Sequence, residues 1–212
     1  MIKLVGIDYS ISSPGLCYYS TDALYDTFPS INKCRFMSLT EDATLKNNKN
    51  FKEYQNFDWY VSMGHNFFVD RWMLKASICM DWLFRNVQLN GNDKLYVALE
   101  GYAFAAKGQV FNIAEATHEL KRSLYINDFP YIIYQPRELK KWYTGNGRAK
   151  KTEICECIEK RNLLTLDSLW NIPFDHSKSP ADDLADSYVA MCMLYDQLKS
   201  EKISDDDFVR SL

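Results

Sequence analysis

The chain has 212 residues, of which 47% are hydrophobic, and its formal net charge is −3. This composition excludes a disordered chain, and no apolar run approaches the roughly 20 residues that a membrane-spanning helix requires. The six cysteines are scattered without a CxxC pair, and the N-terminus enters a predicted strand without a signal-peptide pattern. We therefore expect a cytoplasmic protein with reduced thiols.

The first predicted element is a β-hairpin whose first strand is buried on both faces. Residues 2–8 and 15–20 are apolar runs on either side of a break at Pro14-Gly15, a pair typical of turns. Residues 33–39 alternate between polar and apolar and predict a third strand. Residues 40–56 are rich in Asn, Lys, Glu and Asp and predict an exposed excursion.

Strands and helices alternate in the rest of the chain. Helices are indicated by apolar residues at three- and four-residue spacing, and strands by short apolar runs. The predicted elements are a helix over 66–88, a strand over 95–99, a helix over 109–125, a strand over 131–134, helices over 137–142 and 150–160, and a last helix from about 179 to 198. This order predicts a single α/β domain over residues 1–212 with a mixed central sheet flanked by helices.

Two carboxylates stand at the ends of predicted buried strands. Asp8 ends the first strand, and Glu100 follows Leu99 at the end of a later one. Because burying an unpaired carboxylate is costly, each of these positions needs a cation. Strand ends line the ligand crevice of open α/β sheets, so we expect both acids at one site.

The last predicted helix carries three further acids near its start. Asp183 and Asp186 are three residues apart and share a helix face. An N-cap at Ser179, with Pro180 in the first helical position, would place Asp182 in a capping box, which predicts a structural role for Asp182. Asp186 lies two turns into the helix among apolar residues, where a core-facing carboxylate again needs a cation.

Together these acids predict a site for a hard divalent ion, typically Mg²⁺, which we expect Mn²⁺ to replace. Four carboxylates can hold two such ions roughly 4 Å apart. That arrangement activates a water molecule and stabilises the leaving oxygen in phosphodiester cleavage.

Basic residues concentrate between Arg137 and Lys151, while an acidic tail over residues 200–212 is expected to be solvated. Gly145 and Gly147 allow backbone amides to approach a phosphate, and the N-terminus of the helix that follows favours an anion. We expect DNA phosphate contacts from the cationic side chains of this segment. The candidates are Lys140, Arg148, Lys150 and Lys151.

Two aromatic residues, Tyr102 and Phe104, follow Glu100 closely. Aromatic rings beside a nuclease site can stack on an unpaired base, although rings in these positions can equally belong to the core. The sequence leaves open which of the two would contact DNA.

Several segments, in this order along the chain, resemble one known family. They are residues 6–10 followed by Pro14-Gly15, Leu99-Glu100-Gly101, Gln135-Pro136-Arg137, residues 144–151, and residues 183–186 with Ala190. The segments resemble the RuvC Holliday junction resolvases of the RNase H-like superfamily over residues 1–199. The glycine loop followed by Arg148-Ala149-Lys150-Lys151 is the most specific piece.

The resemblance implies an RNase H-like fold, a homodimer, and Mg²⁺-dependent resolution of four-way DNA junctions by paired nicking. The family's functional residues correspond to Asp8, Glu100, Asp183 and Asp186 as catalytic acids, Lys140 and Lys151 as functional lysines, and Tyr102 or Phe104 as the DNA-wedging aromatic. Residues 21–62 are an insertion relative to the family, as expected for a phage-type or organelle-type branch. The expected dimer interface is the helix over 109–125, through Val110, Ile113, Ala114, Leu120 and Leu124.

Three other functions remain open. Another nuclease of the same fold, acting on flaps or other branched DNA, on strand ends or on RNA–DNA hybrids, would use the same acids. An actin-like ATPase or sugar kinase needs glycine-rich nucleotide loops, and this chain has 8 glycines and no Gly-Gly pair. A catalytically inactive DNA-binding module would have no need of the acids that the chain retains.

Overall fold

The structure, a computed structural model, contains one six-stranded mixed sheet. It describes residues 1–10, 13–25, 27–40, 57–61, 68–102, 110–170 and 180–211. The strands are β1 (Ile2–Asp8), β2 (Gly15–Thr21), β3 (Arg35–Thr40), β4 (Phe57–Val61), β5 (Lys94–Glu100) and β6 (Tyr131–Tyr134). They lie in the order β4-β3-β2-β1-β5-β6. The β1–β2 and β2–β3 pairs are antiparallel, and the other three pairs are parallel.

Helices cover both faces of the sheet. They are α1 (Phe68–Asn86), α2 (Val110–Ile126), α3 (Pro136–Thr144), α4 (Lys151–Asn162), α5 (Leu166–Trp170) and α6 (Ala181–Lys199). Helices α1 and α2 pack together in the core on one face, and α6 packs on β1, β2 and β5 from the other, with α3 and α4 beside it. Among the described helices, none has the length and hydropathy needed to cross a bilayer.

The alternation of side chains along the strands decides which residues face which helices. In β5, Leu95, Val97 and Leu99 join the core beneath α1 and α2, whereas Tyr96 and Ala98 join the core beneath α6. Since successive residues of a strand point to opposite faces, Glu100 falls on the α6 face. The same parity in β1, where Leu4 faces α6, puts Asp8 on that face as well.

Most of the predicted elements are confirmed. The hairpin, the third strand, the strands ending at Glu100 and Tyr134, and the long helices all form close to their predicted bounds. Two short elements, β4 and α5, were not predicted from the sequence. Residues 41–56, nearly all of the expected excursion, lie outside the described residues. All six cysteines are free thiols in the structure.

The C-terminal segment is attached to the sheet. The sequence predicted only a solvated tail for these residues. Asp205–Asp207 form a 3₁₀ turn, and the Tyr96 hydroxyl donates a 2.6 Å hydrogen bond to Asp205. Phe208 is buried against the Tyr96 ring, and Val209 pairs with Tyr131 at the edge of the sheet. The acids themselves are exposed, so their charge is solvated while the backbone is held.

The expected dimer helix, α2, faces inward more than the sequence analysis assumed. Leu120 and Leu124 are fully buried in the core shared with α1, so they are wrong as interface residues. Ile113 and Ala114 are half-buried, and the side chain of Val110 lies outside the described set. The most exposed apolar residues that the structure describes in this helix are Phe111, with 83% of its surface accessible, and Ile126, with 58%.

Candidate metal centre and nucleic-acid interface

The two strand-end acids meet because β1 and β5 are parallel neighbours. Ile7 pairs with Leu99 in the register, so Asp8 and Glu100 leave the sheet side by side at the same edge. Both point to the face covered by α6, as the alternation of the strands requires. The expectation that these acids share one edge of the sheet is met.

Two glycines let α6 approach this edge closely. A Cβ atom on Gly6 would lie 2.6 Å from the Met191 nitrogen and closer still to the Ser187 carbonyl oxygen. A Cβ atom on Gly15 would lie 2.6 Å from the carbonyl carbon of Asp183. The helix backbone therefore rests directly on β1 and β2, and its first turns bring their acids to the strand ends.

The result is a compact cluster of carboxylates. One oxygen each from Asp8, Glu100 and Asp186 lies within 4.8 Å of the other two. The fourth acid, Asp183, is buried and accepts a side-chain hydrogen bond from Asp8 in its protonated form. The structure thus brings together all four acids that the sequence analysis selected.

The electrostatics of the cluster favour a bound cation. Burial, followed by the charges of Glu100, Asp183 and Asp186, holds the pKa of Asp8 well above its usual range. Burial is also the largest cause of the raised pKa of Glu100, and the charge of Asp186 raises that pKa further. Burial raises the pKa of Asp186 to about 6, against the opposing charges of Lys140 and Lys151.

An oxygen-only donor set of this kind fits a hard divalent cation such as Mg²⁺. Asp8, Glu100 and Asp186 would hold the ion, because their oxygens already converge. A cation at this point would offset the repulsion that raises the three pKa values.

Two lysines flank the acids, and both were selected from the sequence. Lys140, on α3, and Lys151, the first residue of α4, each lower the pKa of Glu100 and of Asp186 through their charge. Lys140 and Lys151 also line an open cleft of about 370 Å³, together with Ala149, Lys150 and Thr152. Cationic side chains therefore line a cleft whose two lysines, Lys140 and Lys151, also act on the cluster acids.

The glycine loop has a structural explanation of its own. Gly145 ends α3 in a left-handed conformation, with φ at 82°, and its N–H donates to the Lys141 carbonyl. Gly147 lies against Arg137, whose Cγ would be 2.9 Å from an added Cβ. Arg148 and Lys150 are exposed beside the cleft. The loop thus fixes the direction in which α4 starts.

Asp182 does not have the role that the sequence analysis gave it. The helix begins at Ala181, with Pro180 as a cap residue that makes no side-chain bond, so Pro180 is not the first helical residue, as the sequence analysis expected. Ser179, the predicted N-cap, lies outside the described residues. Asp182 instead forms an ion pair with Lys151, a long-range contact that no sequence pattern signalled.

The aromatic candidates are only partly described. Tyr102 is half-buried, and the Lys121 ammonium lies 5.6 Å from the centre of its ring. Phe104 lies outside the described residues, so the choice between the two is still open.

Sequence comparisons do not identify relatives: no protein-family model and no curated protein sequence matches the chain. Comparison with solved structures does find matches. The structure of Thermus thermophilus RuvC matches with a TM-score of 0.59 and 14% identity, covering 94% of this chain and 96% of that one.

T. thermophilus RuvC in complex with a Holliday junction substrate gives a TM-score of 0.57 at 14% identity, with 95% and 97% of the two chains covered. The yeast mitochondrial Holliday junction resolvase Ydc2 is more distant, with a TM-score of 0.47, 15% identity, and 95% and 84% coverage. Over nearly its whole length, this chain has the RNase H-like fold of the RuvC structures.

Proposed function

We propose that this protein is a metal-dependent, structure-selective DNA endonuclease that resolves four-way junctions by paired nicking. The observation that carries the proposal is the convergence of Asp8, Glu100 and Asp186 within 4.8 Å, at the edge of a sheet shaped like that of RuvC. One of the matching RuvC structures is a complex with a Holliday junction substrate.

The residues divide into two groups by chemistry. Asp8, Glu100 and Asp186 would hold Mg²⁺ or Mn²⁺, which would supply an activated water and stabilise the leaving oxygen. Asp183, the fourth acid, adds negative charge beside Asp8, which strengthens the attraction of the cluster for a cation. Lys140 and Lys151 would hold the phosphate at the acids, and Arg148 and Lys150 would contact the backbone nearby without reading sequence.

A homodimer belongs to the same proposal. A four-way junction presents two strands of like polarity related by a two-fold axis, and one acid cluster can attack only one of them. Among the described residues, a single convergent acid group is found per chain. Two copies related by a two-fold axis would supply two sites facing the two strands.

Substrate choice is tested by measuring cleavage of fixed and mobile four-way junctions beside flaps, RNA–DNA hybrids and linear duplex, with Mg²⁺, Mn²⁺ or EDTA. We expect junctions to be cut fastest, and only with a metal. Asp186→Asn should lower the rate by more than about 100-fold, because it removes a direct ligand. Glu156→Gln, an exposed acid on α4, is the matched control and should cut at the wild-type rate.

Paired nicking is tested on a supercoiled plasmid that extrudes a cruciform. Two nicks within one bound complex give linear DNA directly, whereas independent nicks give the open circle first. Linear product from the start is expected. Preferential cutting of flaps or hybrids, or an accumulating open circle, would instead favour another nuclease of the same fold.

A further inference from the structure

We infer that Asp182 is a positioning residue that holds Lys151 towards the acid cluster. The inference rests on the proposed function, since it assigns a task within that site. Asp182 was predicted to cap its helix, but in the structure its carboxylate pairs with Lys151.

The first observation is the ion pair itself. The Oδ2 atom of Asp182 contacts the Lys151 ammonium, and the Asp182 side chain is 1% exposed while that of Lys151 is 48% exposed. A carboxylate so deeply buried is costly to keep charged unless it is paired. The lysine that pairs with it reaches in from the surface, with its ammonium fixed at an inner position.

The second observation is the other oxygen of the same carboxylate. Oδ1 of Asp182 is buried and has no hydrogen-bond partner among the described residues. A side chain that capped the helix through this oxygen would direct it at a backbone N–H, yet Oδ1 has no such partner among the described residues. The position therefore keeps a negative charge where stability alone does not call for one.

The third observation is the location of Lys151 in its helix. It is the first residue of α4 and follows the cap residue Lys150. A helix N-terminus carries positive partial charge, which repels a cation. The lysine side chain is also long and flexible, so without a counter-charge it would extend into solvent.

The direction in which Lys151 is held matters for the site. Its charge acts on both Glu100 and Asp186, which places the ammonium near the metal ligands. Asp182 directly precedes Asp183 on α6. One helix turn therefore both supplies a cluster acid and anchors the lysine that would meet the substrate phosphate.

Asp182→Asn should therefore lower kcat on junction DNA while leaving KM nearly unchanged. The lysine remains available to attract DNA but is no longer aimed at the acids. We expect kcat to fall by about 10- to 100-fold, the range for residues that orient a functional group. Asp182→Glu, which keeps the charge, should recover part of the loss. Thermal melting of each variant checks that the fold is retained.

A double-mutant cycle separates positioning from a direct role. If Asp182 acts through Lys151, adding Asp182→Asn to Lys151→Met should change kcat by less than about twofold. Lys160→Met, at the exposed far end of α4, is the matched background in which Asp182→Asn should keep its full effect. If the double variant instead lowered kcat by the product of the two single reductions, the inference would be overturned. Asp182 would then act on metal or substrate itself.

A readout without catalysis distinguishes this inference from the proposed function. Trace acetylation of the metal-free protein, quantified by mass spectrometry, compares the reactivity of Lys151 with that of Lys160. We expect Asp182→Asn to raise the relative labelling of Lys151 severalfold, because the ion pair no longer occupies the amino group and limits its motion. Unchanged labelling would overturn the inference, whereas a protein that shows the increase but cuts no junction would refute only the proposed function.

Discussion

At Asp186, the structure links the stability of the protein to the ionisation of its candidate metal site. Burial raises the pKa of this carboxyl group to about 6 in the folded protein, above the value of roughly 3.9 for an unfolded chain. Between these values the folded state binds more protons than the unfolded state. The contribution of Asp186 to the free energy of unfolding is therefore at its maximum below about pH 4. It is lost as the pH rises through about 6.

Denaturant unfolding in EDTA, measured from pH 4 to pH 8, checks this prediction. The decline in the free energy of unfolding should be smaller in Asp186→Asn, which cannot ionise. Some decline should remain, since the pKa values of Asp8 and Glu100 are raised as well. Mg²⁺ should raise the stability of the wild type most at the alkaline end, where the acids are charged. An equal decline in the wild type and in Asp186→Asn would contradict the assignment.

A second prediction at the level of single residues concerns the cationic side chains around the cleft and the salt dependence of DNA binding. Lys140 and Arg148 have no ion pair among the described residues. Replacing either with Ala should weaken binding to all DNA sequences and lower the salt dependence by about one unit in log K against log[salt]. Lys151→Ala should have a smaller effect on this slope, because Asp182 already neutralises part of its charge.

Fluorescence anisotropy with labelled junction DNA across a salt series measures the slopes. Lys160→Ala at the other end of α4 is the control for loss of a positive charge far from the cleft. Equal slopes for Lys140→Ala, Arg148→Ala and Lys160→Ala would mean that the segment is merely a solvated basic surface.

At the scale of elements, the site depends on how closely α6 approaches the sheet. Gly6→Ala would drive a methyl group into the helix backbone at Ser187 and Met191. Overpacking of this kind costs about 1–3 kcal/mol. The movement would carry Asp183 and Asp186 away from Asp8, so we expect loss of cleavage together with a lower melting temperature.

Gly91→Ala is a suitable control for the loss of a glycine. A Cβ atom at Gly91 would meet nothing within 4 Å, and its φ is not positive. Its melting temperature and activity should stay close to those of the wild type. If Gly6→Ala were as stable and active as Gly91→Ala, α6 could not be positioned by contact with β1.

The sequence predicted those elements whose pattern is local. The buried runs of β1 and β5 and the turn at Pro14-Gly15 were visible directly, and the acids at the strand ends followed from the cost of burying charge. The strand β4 was missed because it follows a polar stretch and pairs in parallel with β3, a partner that no short-range pattern identifies. A lone glycine in a strand, as at Gly6, is a signal of close backbone approach that the sequence analysis did not use.

The pairing of Asp182 with Lys151 lay beyond sequence reasoning for a physical reason. It depends on the start of α4 meeting the start of α6, two elements separated by residues 163–180. The attachment of the C-terminal segment is similar, since Tyr96 and Tyr131 meet Asp205 and Val209 only in the folded sheet. Local patterns predicted a helix cap at Asp182 and a solvated tail over residues 200–212, and tertiary contacts decided otherwise.

At the scale of the whole molecule, the proposed paired nicking requires a dimer with a suitable surface. Exposed apolar residues occur on the layer formed by α1 and α2. Phe111 is 83% exposed and Ile126 58%, while Met73 on α1 is 50% exposed. This layer lies on the face of the sheet opposite α6, so its use as an interface would leave the cleft beside Lys140 and Lys151 open to DNA.

Analytical ultracentrifugation with and without junction DNA should therefore detect a species of twice the 24.8 kDa chain mass. Phe111→Asp should weaken this dimer, because it would bury a charge in the interface. Leu163→Asp is the matched control: Leu163 is 92% exposed on the side of α4 and α5, and its replacement should leave the dimer intact. A chain that remains monomeric even on a junction could not place two sites in one complex. Such a result would favour a nuclease that makes single nicks.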